Sequence, residues 1–282
     1  MAQVRTATLL FLFAGTSTLI SVMIITGSIQ KLIQHTSRTV KDESREEALE
    51  NIDFWRNVEL EESDLPSNIN ETAAQTQVEY RKISVMETDI FYREAQPPEG
   101  VRSSGEAVVL LHGEGFSSKN WEELKTIGAL AAMGHRVLAV DLPGHGNSSQ
   151  GDPGDKADFL QELLTKLEVT KPVLVSPSSS GSYSIPFVIK YPQALGGFVP
   201  IAPVSTEKLK ANAPELMIPT FITYGELDLD LGHRSREVLF ARIPTSQIVP
   251  LPDANHAAYL DQPVLFHTLL YNFIQNIHAR KA

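Results

Sequence analysis

Three residue types that together perform nucleophilic acyl transfer occur along this 282-residue chain in the order serine, aspartate, histidine. Ser178 follows the apolar run Val173-Leu174-Val175, Asp228 follows Phe221-Ile222-Thr223-Tyr224, and His256 follows Ile248-Val249-Pro250-Leu251. Each stands where a strand hands over to a loop. A serine hydroxyl is a weak nucleophile until a base takes its proton, and an imidazole does this best when a carboxylate fixes its tautomer. Around the serine the chain reads Ser176-Pro177-Ser178-Ser179-Ser180-Gly181. A nucleophile held on a sharp strand-to-helix turn commonly sits in Gly-x-Ser-x-Gly, where small flanks let the backbone double back. Here Ser176 and Ser180 occupy both glycine places, and a hydroxymethyl group is still small. Read alone, the serine-rich stretch equally suits a polar loop that caps a helix.

The same chemistry needs two N–H donors for the oxyanion that forms on the substrate. Ala107-Val108-Val109-Leu110-Leu111 reads as a buried strand, and His112-Gly113-Glu114-Gly115-Phe116 follows it before a helix near Trp121. The backbone N–H groups of Glu114 and Ser179 are the candidate oxyanion hole. The glycines also suit a tight strand-to-helix connection with no further role. A Glu114 carboxylate there opposes the developing charge unless it points away, or it selects a cationic substrate such as an amine. Glu226 and Asp230 are carboxylates that compete with Asp228. His35, His135, His233, His267 and His278 fall in predicted helices or exposed connections, and His112 and His145 in loop motifs.

Arg136-Val137-Leu138-Ala139-Val140 is another buried strand, closing on Asp141-Leu142-Pro143-Gly144-His145-Gly146-Asn147-Ser148. With this turn, the His-Gly loop and the elbow at similar spacing, the chain resembles the α/β-hydrolase superfamily over about residues 78 to 282. More narrowly, the stretches 176–181, 197–203 and 224–228 are similar to the α/β-hydrolase domain-containing protein 14 subfamily. The apolar amino terminus is similar to its membrane-anchored A form. The resemblance implies Ser178 as nucleophile, His256 as base and Asp228 rather than its neighbours as acid, with His112 and His145 as structural neighbours. It implies deacylation without a bound cofactor, and coenzyme A as an alternative acyl acceptor to water.

Strands and helices alternate along the domain, which predicts an α/β fold with a mostly parallel twisted sheet flanked by helices. Residues 79 to 93 read as an opening β-hairpin. In the last helix Phe266, Leu269, Leu270, Phe273 and Ile277 fall on one face, which should pack on the sheet. Only about 15 residues separate Ala202 from the next strand at Pro219, too few for a multi-helix cap. A minimal or absent cap predicts an open site for small acyl esters or amides rather than triacylglycerols.

Composition removes other classes. With 24 basic and 34 acidic residues the formal net charge is -10, which opposes nucleic-acid binding through phosphate neutralisation. The chain has no cysteine, so disulfides and thiolate chemistry are excluded. No histidine pair has metal-ligand spacing, and no metal or cofactor is expected. A monomer acting on a small acyl substrate is the expected state.

From Thr6 to Gln30 no residue is charged, a run long enough to span a bilayer. Residues 1–33 are therefore expected as an amino-terminal signal anchor, with a cleaved signal peptide as the alternative at Thr26-Gly27-Ser28. Residues 34–77, polar and without sustained periodicity, are expected as a stalk, with Asp53-Phe54-Trp55 as a candidate for local docking. Arg5 on one side and Lys31, Arg38 and Lys41 on the other favour a cytoplasmic domain. The Asn70-Glu71-Thr72 glycosylation sequon and the resemblance favour a single-pass type II membrane protein with its domain luminal or extracellular. A second sequon, Asn147-Ser148-Ser149, lies in the turn beside the expected site. Two non-enzyme alternatives stand beside the hydrolase: a catalytically inactive binding module on the same fold, and a membrane-tethered scaffold.

Overall fold

The computed structural model describes residues 46–61, 63–210 and 214–281. Asn51–Ala282 form one compact unit and Met1–Glu50 a second, of which residues 46–50 are described and helical. The larger unit is built on an eight-stranded sheet. Its strands are β1 (Val78–Val85), β2 (Thr88–Ala95), β3 (Ala107–Leu110), β4 (Arg136–Val140), β5 (Val173–Pro177), β6 (Gly197–Ile201), β7 (Thr220–Gly225) and β8 (Ser246–Leu251). They lie in the order β1-β2-β4-β3-β5-β6-β7-β8. β1 and β2 form an antiparallel hairpin, β2 pairs antiparallel with β4, and every later pairing is parallel. Met86 and Glu87 make the hairpin turn with φ of 46° and 65°, the left-handed backbone that matches strand twist.

Helices cover both faces of the parallel part, so its strands are apolar on both sides. β5, β6 and β7 are buried along their whole lengths. Alternate residues divide between two cores: Val108 and Leu110 face one with Trp121 and Phe273, while Val109 faces the other with Phe159 and Phe187. The expected face of the last helix, Pro263–Lys281, packs as read, with Phe266, Leu269, Leu270, Phe273 and Ile277 all buried. Between β6 and β7 the described residues hold only a short 3-10 turn, Thr206–Lys208.

Residues 51–77, part of the segment expected as a stalk, belong to this unit. Trp55 and Leu60 are buried in the core with Phe273, and Asn272 Nδ2 donates to the carbonyls of Leu60 and Ser63, each at 2.8 Å. A short helix, Ile69–Ala74, carries Asn70 on its exposed side. Sparse apolar residues without a period mark this segment only at Phe54 and Trp55, which pack with Leu60 in one core.

One expectation is corrected. No helix among the described residues is long and apolar enough to cross a membrane. A span needs about 20 consecutive apolar residues. The longest described helix in the larger unit, with 19 residues, interrupts its apolar face with His267, Asn272, Asn276, His278 and Arg280. The transmembrane signal anchor, the membrane-anchored form and the type II placement are therefore not retained. The apolar run itself, over residues 1–33, lies outside the described residues.

Candidate active site

β5 delivers Ser178 into a turn that L-residues rarely adopt. Its φ is 50°, and the chain passes through a 3-10 turn, Ser178–Ser180, directly into the helix Gly181–Lys190. A side chain in this backbone region costs of order 1–3 kcal/mol and persists only when its surroundings fix it. Two observations account for the fixing. Ser180 Oγ donates to the Pro177 carbonyl at 2.7 Å, and Ser176 Oγ lies 3.0 Å from Ser180 Oγ and 2.6 Å from Ser184 Oγ, all three side chains buried. Beyond them, a Cβ on Gly181 would meet the Val204 carbonyl at 2.5 Å, so the loop after β6 closes directly on the elbow. The Val204 N–H donates to the Ser178 carbonyl at 3.0 Å.

Facing the serine, His256 Nε2 lies 2.8 Å from Ser178 Oγ, and its Nδ1 lies 2.8 Å from Asp228 Oδ2. The carboxylate can only accept, so Nδ1 carries the proton and Nε2 is free to accept from the hydroxyl. Asp228 is 8% exposed and His256 36%. Gly225 lets the two loops meet, since a Cβ there would stand 2.4 Å from the carbonyls of Ala254 and Asn255. The Leu227 N–H donates to the Ala254 carbonyl at 2.9 Å and holds them together. The competing carboxylates turn elsewhere: Asp230 pairs with Arg234 at 3.1 Å, and Glu226 Oε2 accepts the Asp253 N–H at 3.4 Å. Of the three acids, Asp228 is the one against His256.

The loop after β3 lies on the other side of Ser178. A Cβ on Gly113 would sit 3.3 Å from Ser178 Cβ, which leaves room only for glycine without adjustment. His112 locks this loop. The Leu142 N–H donates to its Nε2 at 2.9 Å, so Nδ1 must carry the proton that reaches the Gly113 carbonyl at 2.9 Å. Burial pushes the His112 pKa below its ordinary value, in keeping with this neutral form. Glu114 follows with its side chain 79% exposed, Oε1 3.5 Å from His145 Nε2. Ser179 lies half-buried beside the nucleophile position.

The Asp141 turn is a structural partner of this arrangement. Its buried carboxylate accepts the N–H groups of Ser118 at 2.6 Å and Asn147 at 2.8 Å. Ser148 Oγ donates to the Asp141 carbonyl at 2.6 Å and accepts the Phe91 N–H at 2.8 Å. The role of Ser184 and the locking role of His112 were not read from the sequence. A serine one helical turn beyond the elbow and a histidine directly before a glycine were the available signals. Among the described residues no group of three or more histidines or carboxylates could hold a metal.

The α/β hydrolase family model matches residues 108–194, which span β3 to the end of the elbow helix. Protein ABHD14A of Danio rerio is 42% identical over 199 residues, covering 67% of this chain and 72% of that protein. The Homo sapiens protein named "Putative protein-lysine deacylase ABHD14B" is 38% identical over 212 residues, covering 73% of this chain and 99% of that protein. The fold is shared with a CIB-like hydrolase of Thermoplasma acidophilum, at TM-score 0.64 and 24% identity over 71% of this chain and 99% of that one. It is also shared with a thermophilic esterase of Thermogutta terrifontis, at TM-score 0.57 and 18% identity over 71% of this chain and 99% of that one. The chain belongs to the α/β-hydrolase family, within its ABHD14 subfamily.

Proposed function

We propose that this chain is a serine hydrolase that removes small acyl groups from esters or amides, with Ser178 as nucleophile, His256 as base and Asp228 as the orienting acid. The observation that carries this reading is the continuous relay from Ser178 Oγ through His256 to Asp228, 2.8 Å at each step, on a nucleophile held at positive φ. As Ser178 Oγ attacks the carbonyl carbon, His256 Nε2 takes its proton and Asp228 stabilises the imidazolium. The oxyanion is received by the backbone N–H groups of Ser179 and Glu114. His256 then protonates the leaving oxygen or nitrogen, which departs and leaves an acyl ester on Ser178. Water, activated by the same imidazole, releases the acid.

One observation supports small acyl groups. The connection between β6 and β7 holds only a 3-10 turn among the described residues, where a lipid-binding cap would need helices. The relative named for protein-lysine deacylation suggests an acylated lysine amide as the first substrate to try.

The test is fluorophosphonate labelling of the full chain. Labelling lost in Ser178→Ala, kept in Ser180→Ala and weakened in His256→Ala supports the reading. No labelling of the folded wild type overturns it in favour of a binding module on a hydrolase fold.

A further inference from the structure

Glu114 sits two residues beyond His112 and directly after Gly113, whose backbone touches Ser178. A Cβ on that glycine would lie 3.3 Å from Ser178 Cβ. An acyl group joined to Ser178 therefore brings its carbonyl to this loop. A carboxylate at such a place is unfavourable for the reaction as drawn, because negative charge develops on the carbonyl oxygen. The protein keeps one there with its side chain 79% exposed.

The neighbouring histidine does not cancel it in its neutral form. His145 Nδ1 lies 3.1 Å from the Pro143 carbonyl, which can only accept, so Nδ1 carries the proton. In the neutral ring Nε2 then presents a lone pair to Glu114 Oε1 at 3.5 Å, and the contact attracts only when the ring is protonated. His112, with ring centroid 5.0 Å away, is locked neutral by the Leu142 N–H and the Gly113 carbonyl. Among the described residues no lysine or arginine pairs with Glu114, whose ion-pair contact is His145, and Asp141 beside His112 adds negative charge. A cation brought by the substrate would meet this carboxylate without a competing lysine or arginine partner among the described residues.

The direction follows from exposure. Glu114 and His256 flank Ser178 from opposite sides and both reach solvent, with side chains 79% and 36% exposed; an acyl group held against the elbow would leave the leaving group as the part of a substrate that extends outward. We infer that Glu114 is a specificity residue that selects acyl substrates carrying an ammonium or guanidinium on the leaving-group side of the scissile bond. The inference rests on the serine-hydrolase reading of Ser178. It makes a basic peptide segment or an amine-bearing alcohol a better leaving group than a neutral one of the same shape.

The experiment compares two thioesters of one shape, acetylthiocholine and S-(3,3-dimethylbutyl) thioacetate, which differ only in a quaternary nitrogen against a quaternary carbon. Thiol release gives kcat/KM for each with the full chain. The ratio of cationic to neutral substrate should fall about 1.5- to 5-fold in Glu114→Gln, the range for one exposed ion pair. It should fall further in Glu114→Lys, and the wild-type preference should shrink as salt is raised. A merely structural role for the side chain would change both substrates together and leave the ratio alone. Equal ratios in the wild type and Glu114→Gln, or a cation preference surviving in Glu114→Lys, overturn the inference. A chain that fluorophosphonate labels but that cleaves neither thioester overturns it as well, while the hydrolase reading stands. A folded chain that is not labelled at all overturns both.

Discussion

Ser176 and Ser180, which stand where the common elbow has glycines, lie with their hydroxyl oxygens 3.0 Å apart and fully buried. The replacement is therefore a small polar network and not an eroded motif. Ser180 also donates to the Pro177 carbonyl and Ser176 reaches Ser184, so the strand end, the turn and the first turn of the helix are tied by side chains.

Restoring the usual glycine should weaken this protein. Ser180→Gly removes hydroxyl contacts to Pro177 and Ser176 and adds backbone freedom to the unfolded chain, at a cost of about 1–3 kcal/mol. Chemical denaturation measures it, and a variant as stable as the wild type would mean the network contributes nothing.

Gly181 is where the small-residue requirement is strict. A Cβ there would stand 2.5 Å from the Val204 carbonyl and 2.8 Å from the Val204 nitrogen, both backbone atoms that cannot swing aside. Gly181→Ala should separate the loop after β6 from the elbow, with stability falling by more than about 2 kcal/mol and fluorophosphonate labelling falling with it. Ala at this place with full labelling would show that the loop yields freely.

The sequence made the sheet legible because five parallel strands are buried on both faces and read as unbroken apolar runs. β5 and β7 are examples, and Ser178 and Asp228 follow their carboxyl ends. Ser178, Asp228 and His256 were legible as types at strand ends, but choosing Asp228 over Glu226 and Asp230 took a resemblance. Only the geometry separates three carboxylates within five residues, through where each side chain turns. The contribution of residues 51–77 was legible only at Asp53-Phe54-Trp55. Trp55, Leu60 and Ile69 are buried at spacings that fit no helix or strand period, and the polar residues between them look like linker.

Trp55 shows how much that segment contributes. It is 1% exposed and stands edge-on to Phe273 with ring centroids 5.4 Å apart. Trp55→Ala should cost about 3–5 kcal/mol, the usual range for emptying a buried aromatic site. Trp55→Phe should cost far less, because the indole N–H is buried with no hydrogen-bond partner among the described residues. Denaturation midpoints of the two variants test this. Equal losses would assign the effect to the missing nitrogen, and no loss in either would place Trp55 outside the cooperative unit.

Acid should loosen the fold through buried histidines, and His135 is the clearest. It is 1% exposed, its Nδ1 lies 2.7 Å from Ser104 Oγ, and the His278 ring stacks on it at 5.9 Å with Glu106 beyond. Burial first, and the His278 charge second, push its pKa down from 6.5 to about 4, while Glu106 opposes them. The unfolded chain takes up a proton near pH 6.5 that the folded ring refuses until about pH 4. Stability is thus undiminished above that range and falls as pH drops through it, by up to about 1.4 kcal/mol per pH unit for this one ring. His267, also depressed to about 4 by burial, adds to the same slope. Denaturation of the wild type and His135→Gln at pH 7 and about pH 5.5 separates its share, since the variant loses one proton from the linkage and its stability should fall less steeply. Parallel curves would mean that His135 takes up its proton in the folded protein as readily as in the unfolded chain.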